Sequence, residues 1–91
     1  MIEVHSTGEE TYSVNVIAAE NTNHEVMLED WYYMKLTDGQ ILPEELIERS
    51  FEFLLERESG AEIMEIFDLC LIQNNFPEYE KTMKRELRKK I

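Results

Sequence analysis

Two histidines, one cysteine and a surplus of adjacent carboxylates are the residues of this chain best suited to chemistry. A hydrolytic metal centre needs at least two histidines or carboxylates to converge on one point. His5 and His24 lie on either side of the alternating stretch Tyr12, Val14 and Val16; pairing that stretch with its two flanks places His5 near Tyr12 and His24 opposite Ile17. That offset is about five residues, roughly 15 Å at ~3.3 Å per residue, too far for one ion. Both histidines therefore read as surface or strand-end residues. Cys70 lies among Leu69, Leu71 and Ile72. Apolar company raises a thiol's pKa and blunts it as a nucleophile, so Cys70 reads as structural. No Ser-His-Asp arrangement is legible, and Gly8, Gly39 and Gly60 never gather into a phosphate-cradling loop. The pairs Glu9-Glu10, Glu29-Asp30 and Glu44-Glu45 have the form of acid/base groups or loose cation ligands. With 20 acids among 91 residues, however, such neighbours arise by chance, and a solvated surface is the simpler reading. The chain is expected not to be an enzyme and to hold neither metal nor cofactor.

Two patterns point instead to binding. Trp31-Tyr32-Tyr33-Met34 places four large side chains in succession. Consecutive helical residues point about 100° apart, so they cannot all face one core. Trp31, Tyr32 and Tyr33 are accordingly candidate anchors for a partner, set against plain packing between sheet and helix. Glu44, Glu48, Glu52 and Glu56 recur every fourth residue, which stacks them about 6 Å apart on one side of a helix. Each like-charge pair should cost about 0.2–0.5 kcal/mol, while Glu45 and Arg49 make the favourable pair of that helix. The ridge is a candidate face for lysines and arginines, or else a helix face kept soluble by charge.

Charge divides the chain unevenly. Residues 1–80 carry nineteen acids against three bases (Lys35, Arg49 and Arg57), a net of −16. Residues 81–91 carry six bases against one acid, a net of +5, leaving −11 for the whole. An acidic body repels nucleic acid and anionic lipid, so direct nucleic-acid binding is not expected. Lys81, Lys84, Arg85 and Arg88, with Lys89 and Lys90, are expected to lie on a helix that docks on the body and relieves its self-repulsion. Its apolar stripe is Tyr79, Met83 and Leu87, and Glu80 to Lys84 and Glu86 to Lys90 are favourable i,i+4 pairs.

The elements that must position these residues follow from periodicity. Tyr12, Val14 and Val16 alternate with polar residues, as do Val26 and Leu28, giving two strands joined through Glu20–Asn23; Ile2 and Val4 add a third that turns at Gly8. Asp30 introduces a short helix ended by Thr37-Asp38-Gly39. Pro43 opens a longer one to Glu58, with Ile47, Phe51, Leu54 and Leu55 facing the core and Gly60 as its C′ stop. Residues 61–75 read as two short helices, the second capped by Asp68, and Pro77 opens the last. The fold class is α+β: a small antiparallel two- or three-stranded sheet (1–28) followed by four or five helices (29–91), in one domain. Apolar runs fall far short of the ~20 residues of a membrane helix, and neither an export signal nor a cysteine pair is present, so a cytoplasmic location is expected.

Residues 42–87 resemble a family of short bacterial proteins with no assigned activity. Pro43-Glu44-Glu45-Leu46, Ser50-Phe51-Glu52-Phe53-Leu54-Leu55-Glu56-Arg57-Glu58, Phe67-Asp68-Leu69 and Phe76-Pro77-Glu78-Tyr79-Glu80 carry the resemblance. It covers about half the chain and implies no catalytic or binding residues. The function expected from the residues is that of a small acidic adaptor or regulatory domain, free to self-associate, whose partner is another protein with a basic surface. The alternative is an acidic nucleic-acid mimic of the phage-inhibitor type, occupying a DNA- or RNA-binding groove.

Overall fold

The computed structural model describes residues 1–90, with side chains through Arg88. Its first third is the expected meander: β1 (Ile2–Ser6), β2 (Thr11–Val16) and β3 (Thr22–Met27) pair antiparallel in sequence order. Alternation decides which face is buried. Tyr12, Val14 and Val16 of β2 point inward beside Val26 of β3, while Glu3, His5, Asn23 and Glu25 stand on an open face. The β2–β3 turn falls at residues 17–21, slightly earlier than the Asn-rich stretch marks it.

The remaining two-thirds departs further from the expected helices. The chain leaves β3, forms α1 (Asp30–Thr37) and α2 (Pro43–Leu55), and returns as a short strand, β4 (Ile66–Asp68), parallel to β3. The sheet is therefore four-stranded and mixed, in the order β1-β2-β3-β4, rather than two- or three-stranded and antiparallel. Residues through Phe67 were expected to be helical. They become a single 3-10 turn (Gly60–Glu62) and then β4, because Phe67 drops into the core opposite Val26. Gly60 is likewise not the stop of α2. That helix ends at Leu55, and Gly60 begins the 3-10 turn behind a capping box of Ser59 and Glu62. Asp68 does cap the next turn, accepting from the Cys70 amide at 3.2 Å. Short α3 (Ile72–Asn75) and then α4 (Tyr79–Lys90) follow, with Pro77 in the turn before α4.

α2 lies against the β1 side of the sheet, and α1 and α4 pack on it and on each other. Ile47, Phe51 and Leu54 are buried, as the stripe predicts, with Leu55 at the margin and Leu46 buried beyond the stripe. The Phe51 ring lies 5.3 Å from that of His24 and 6.0 Å from that of Phe67, joining helix, β3 and β4. α1 closes through two left-handed residues, Asp38 (φ 54°) and Gly39 (φ 74°), a conformation glycine adopts at no steric cost.

Candidate protein-docking groove

The expected five-residue offset between the two histidines is not found: their partners on β2, Ser13 and Val14, are adjacent, and it is the opposite faces of the sheet that keep the two rings apart. His5 pairs with Ser13 on the open face, whereas His24 pairs with Val14 and points into the core. His24 is thus neither a surface nor a strand-end residue; it is 4% exposed. Nδ1 donates to the Met64 carbonyl at 2.8 Å, since a carbonyl can only accept, and Nε2 meets Thr22 Oγ1 at 2.9 Å. This ring ties β3 to the segment leading into β4 and has no nitrogen left for a ligand. The register also sets His5, Ser13 and Glu25 in a row across the open face. A nucleophile relay needs the imidazole between hydroxyl and carboxylate. Here the serine is central, and among the described residues no hydrogen bond links the three. Cys70 is half-buried; burial, then the Asp68 carboxylate, pushes its thiol up to about 11. Among the described residues no three His, Cys, Asp or Glu side chains gather in a metal-holding arrangement.

The acidic ridge forms a wall. α2 runs beside β1 in the opposite sense: Val4 lies with Leu42 and Glu44, and Met1 and Ile2 lie with Leu55 and Glu56. Glu48 and Glu52 line both halves of the resulting open groove, so it is continuous. Apolar Met1, Ile2, Val4, Leu42 and Leu55 line it beside the carboxylates Glu44, Glu48, Glu52 and Glu56, the last three exposed, and Arg49 stands among them. Nearby cations are engaged. Arg49 pairs with Glu45 at 3.3 Å, as the spacing predicts. Arg57 reaches Glu56 at 3.7 Å, but also Glu78 at 3.1 Å, and lies 3.6 Å over the Phe53 ring. Among the described residues no cation pairs with Glu44, Glu48 or Glu52.

The aromatic run splits as helical geometry demands. Tyr32 is 2% exposed and donates to Glu80 at 2.9 Å; Tyr33 is half-buried and donates to the Ile41 carbonyl at 2.5 Å. Of the three aromatics Trp31 turns outward, 57% exposed, with its Nε1 donating to Glu29 at 2.7 Å, and Met34 is exposed as well. None of the three lines the α2 groove. Tyr32 is a core residue, which removes it from the anchors; burial pushes its phenol, and that of Tyr79, well above the ordinary range.

α4 docks through Tyr79, Met83 and Leu87, all buried. The described cations of α4 do not make the direct pairs with the body that docking was expected to bring. Lys81, Lys84, Arg85 and Arg88 are exposed, and among the described residues none is in an ion pair. Glu80 joins Lys35 at 3.4 Å and Tyr32 rather than Lys84. The Glu86–Lys90 pair lies outside the described residues, as do the side chains of Lys89 and Lys90. Where α4 borders α2 it presents Thr82 and Glu86 to Glu52 and Glu56, and its basic face is left outward. No helix among the described residues is long and apolar enough to cross a membrane. No protein-family model matches the chain, and neither a curated protein nor a solved structure is significantly similar to it.

Proposed function

We propose that this protein is a small binding module without chemistry of its own, which captures a basic segment of another protein along α2. The observation that carries this reading is the groove wall, where Glu44, Glu48 and Glu52 stand together while Arg49, the cation lining the same groove, is paired with Glu45. Clustered carboxylates beside apolar side chains attract lysine and arginine, whose aliphatic stems can lie on those side chains. Trp31, exposed on a different element, is a second anchor for the same or another partner. The nucleic-acid mimic is less well supported, because α4 displays four exposed cations on the same small body. A groove that binds DNA would repel that face.

Affinity capture from native extract, with quantitative mass spectrometry, tests the proposal. The wild type should retain a partner that a Glu48→Arg, Glu52→Arg variant loses, and added salt should weaken the capture. Trp31→Ala should weaken it by more than about 1 kcal/mol with the melting temperature nearly unchanged. Capture indifferent to ridge reversal refutes the reading. Displacement of the partner by nucleic acid favours the mimic.

A further inference from the structure

The groove is bordered by a strand with half of its hydrogen-bonding groups unused. Met1 and Ile17 exchange both backbone hydrogen bonds, at 2.8 and 2.7 Å, and the Thr7 amide donates to the Thr11 carbonyl at 2.9 Å. Bonded pairs alternate in an antiparallel ladder, so Glu3 and His5 bond to β2 between those two points. Ile2, Val4 and Ser6 therefore direct their amides and carbonyls away from the sheet. Among the described residues nothing bonds these groups, since β1 is the edge of the sheet. A free edge of this kind accepts an extended chain.

We propose that the basic segment enters as an added strand, pairing with Ile2, Val4 and Ser6 of β1 while its cationic side chains reach the carboxylates of α2. This rests on the docking reading above and specifies how the partner binds. The spacings agree. Alternate residues of a strand lie about 6.7 Å apart on one face, and the α2 carboxylates about 6 Å apart. Over three steps the mismatch is about 2 Å, within the reach of flexible lysine and arginine side chains. A segment with a cation at every second position would thus meet the ridge along its length. Apolar Met1, Ile2 and Val4 line the same path.

The ridge also bears on what the edge refuses. Two copies joined β1 to β1 about a two-fold axis would bring both α2 helices to one face of the joined sheet, with their carboxylate rows toward each other. Like charges so placed oppose pairing, a common protection of exposed edges. The same row that excludes a second copy admits a cationic strand.

Amide hydrogen exchange on the full-length protein, with and without a short capped peptide alternating lysine and valine, tests the inference. In the free protein the Ile2, Val4 and Ser6 amides should exchange fast and those of Glu3 and His5 slowly. Peptide binding should slow the first set about tenfold or more, and Glu48→Gln with Glu52→Gln should weaken binding several-fold. Two versions of the peptide, N-methylated at alternate backbone amides in opposite phase, should differ, with one losing about tenfold or more in affinity. Binding without protection of Ile2, Val4 and Ser6, or equal binding of both methylated versions, overturns strand addition and leaves ridge docking standing. A valine–serine peptide binding as tightly overturns the charge selection. Failure of the lysine peptide to bind at all overturns both readings.

Discussion

Ser50 and Tyr79 offer the sharpest energetic test of how α4 is held. Both are wholly buried, and their hydroxyls meet at 2.6 Å. Ser50 Oγ also lies 2.8 Å from the Leu46 carbonyl, which can only accept. The serine proton must go there, so Tyr79 donates to Ser50. The two single substitutions are therefore unequal. Tyr79→Phe removes one buried hydrogen bond and leaves no donor stranded, a cost of about 0.5–1.5 kcal/mol. Ser50→Ala strands the phenol proton in the core, which costs about 1–3 kcal/mol, offset by about half a kcal/mol from alanine's better helix propensity. Replacing both partners removes donor and acceptor together and is close to neutral. The double variant should thus be no less stable than Ser50→Ala alone, with a coupling of about 1–3 kcal/mol in its favour. Urea denaturation of the four proteins reads this directly. A double variant destabilised by the sum of the singles would refute the proton assignment and the pairing it rests on.

Burial raises the phenols of Tyr12, Tyr32 and Tyr79 above their ordinary value of 10.0. The unfolded chain releases these protons near pH 10 while the folded chain keeps them, so their contribution to stability is intact below pH 10 and is lost as pH rises further. Urea midpoints should hold to about pH 10 and then fall, and Tyr32→Phe or Tyr79→Phe should flatten that fall. With its thiol pushed up to about 11, Cys70 should be labelled by a disulfide reagent at pH 8 roughly a hundredfold more slowly in the folded than in the urea-unfolded protein; equal rates would contradict the burial. Glu48→Gln with Glu52→Gln removes three like-charge pairs and should stabilise the fold by about 0.6–1.5 kcal/mol at low salt, an effect lost at high salt. The same variant should self-associate more readily in sedimentation, because the repulsion guarding β1 is reduced; a loss of stability would mean that the ridge holds an attractive contact.

What the sequence determined by itself is what short-range periodicity can carry. Alternation along Tyr12, Val14 and Val16 specifies a strand and its buried face without reference to the rest of the chain. Four-residue spacing specifies both the core stripe and the carboxylate ridge of α2, and successive 100° turns force the aromatic run apart. Tertiary structure decided the rest. β4 is only three residues long and exists because β3 offers a parallel edge and the core offers Phe67 a site. His24 follows the inward phase of its strand, but its partners come from residues 22 and 64, the latter beyond local pattern. Glu80 exchanges the helix neighbour that spacing proposes for Tyr32 and Lys35, reached only once α1 and α4 pack together. The groove belongs to this second class. Its carboxylates are legible along one helix and its free backbone groups along one strand. Their apposition depends on α2 crossing beside β1, a contact of parts some forty residues apart that no local spacing encodes.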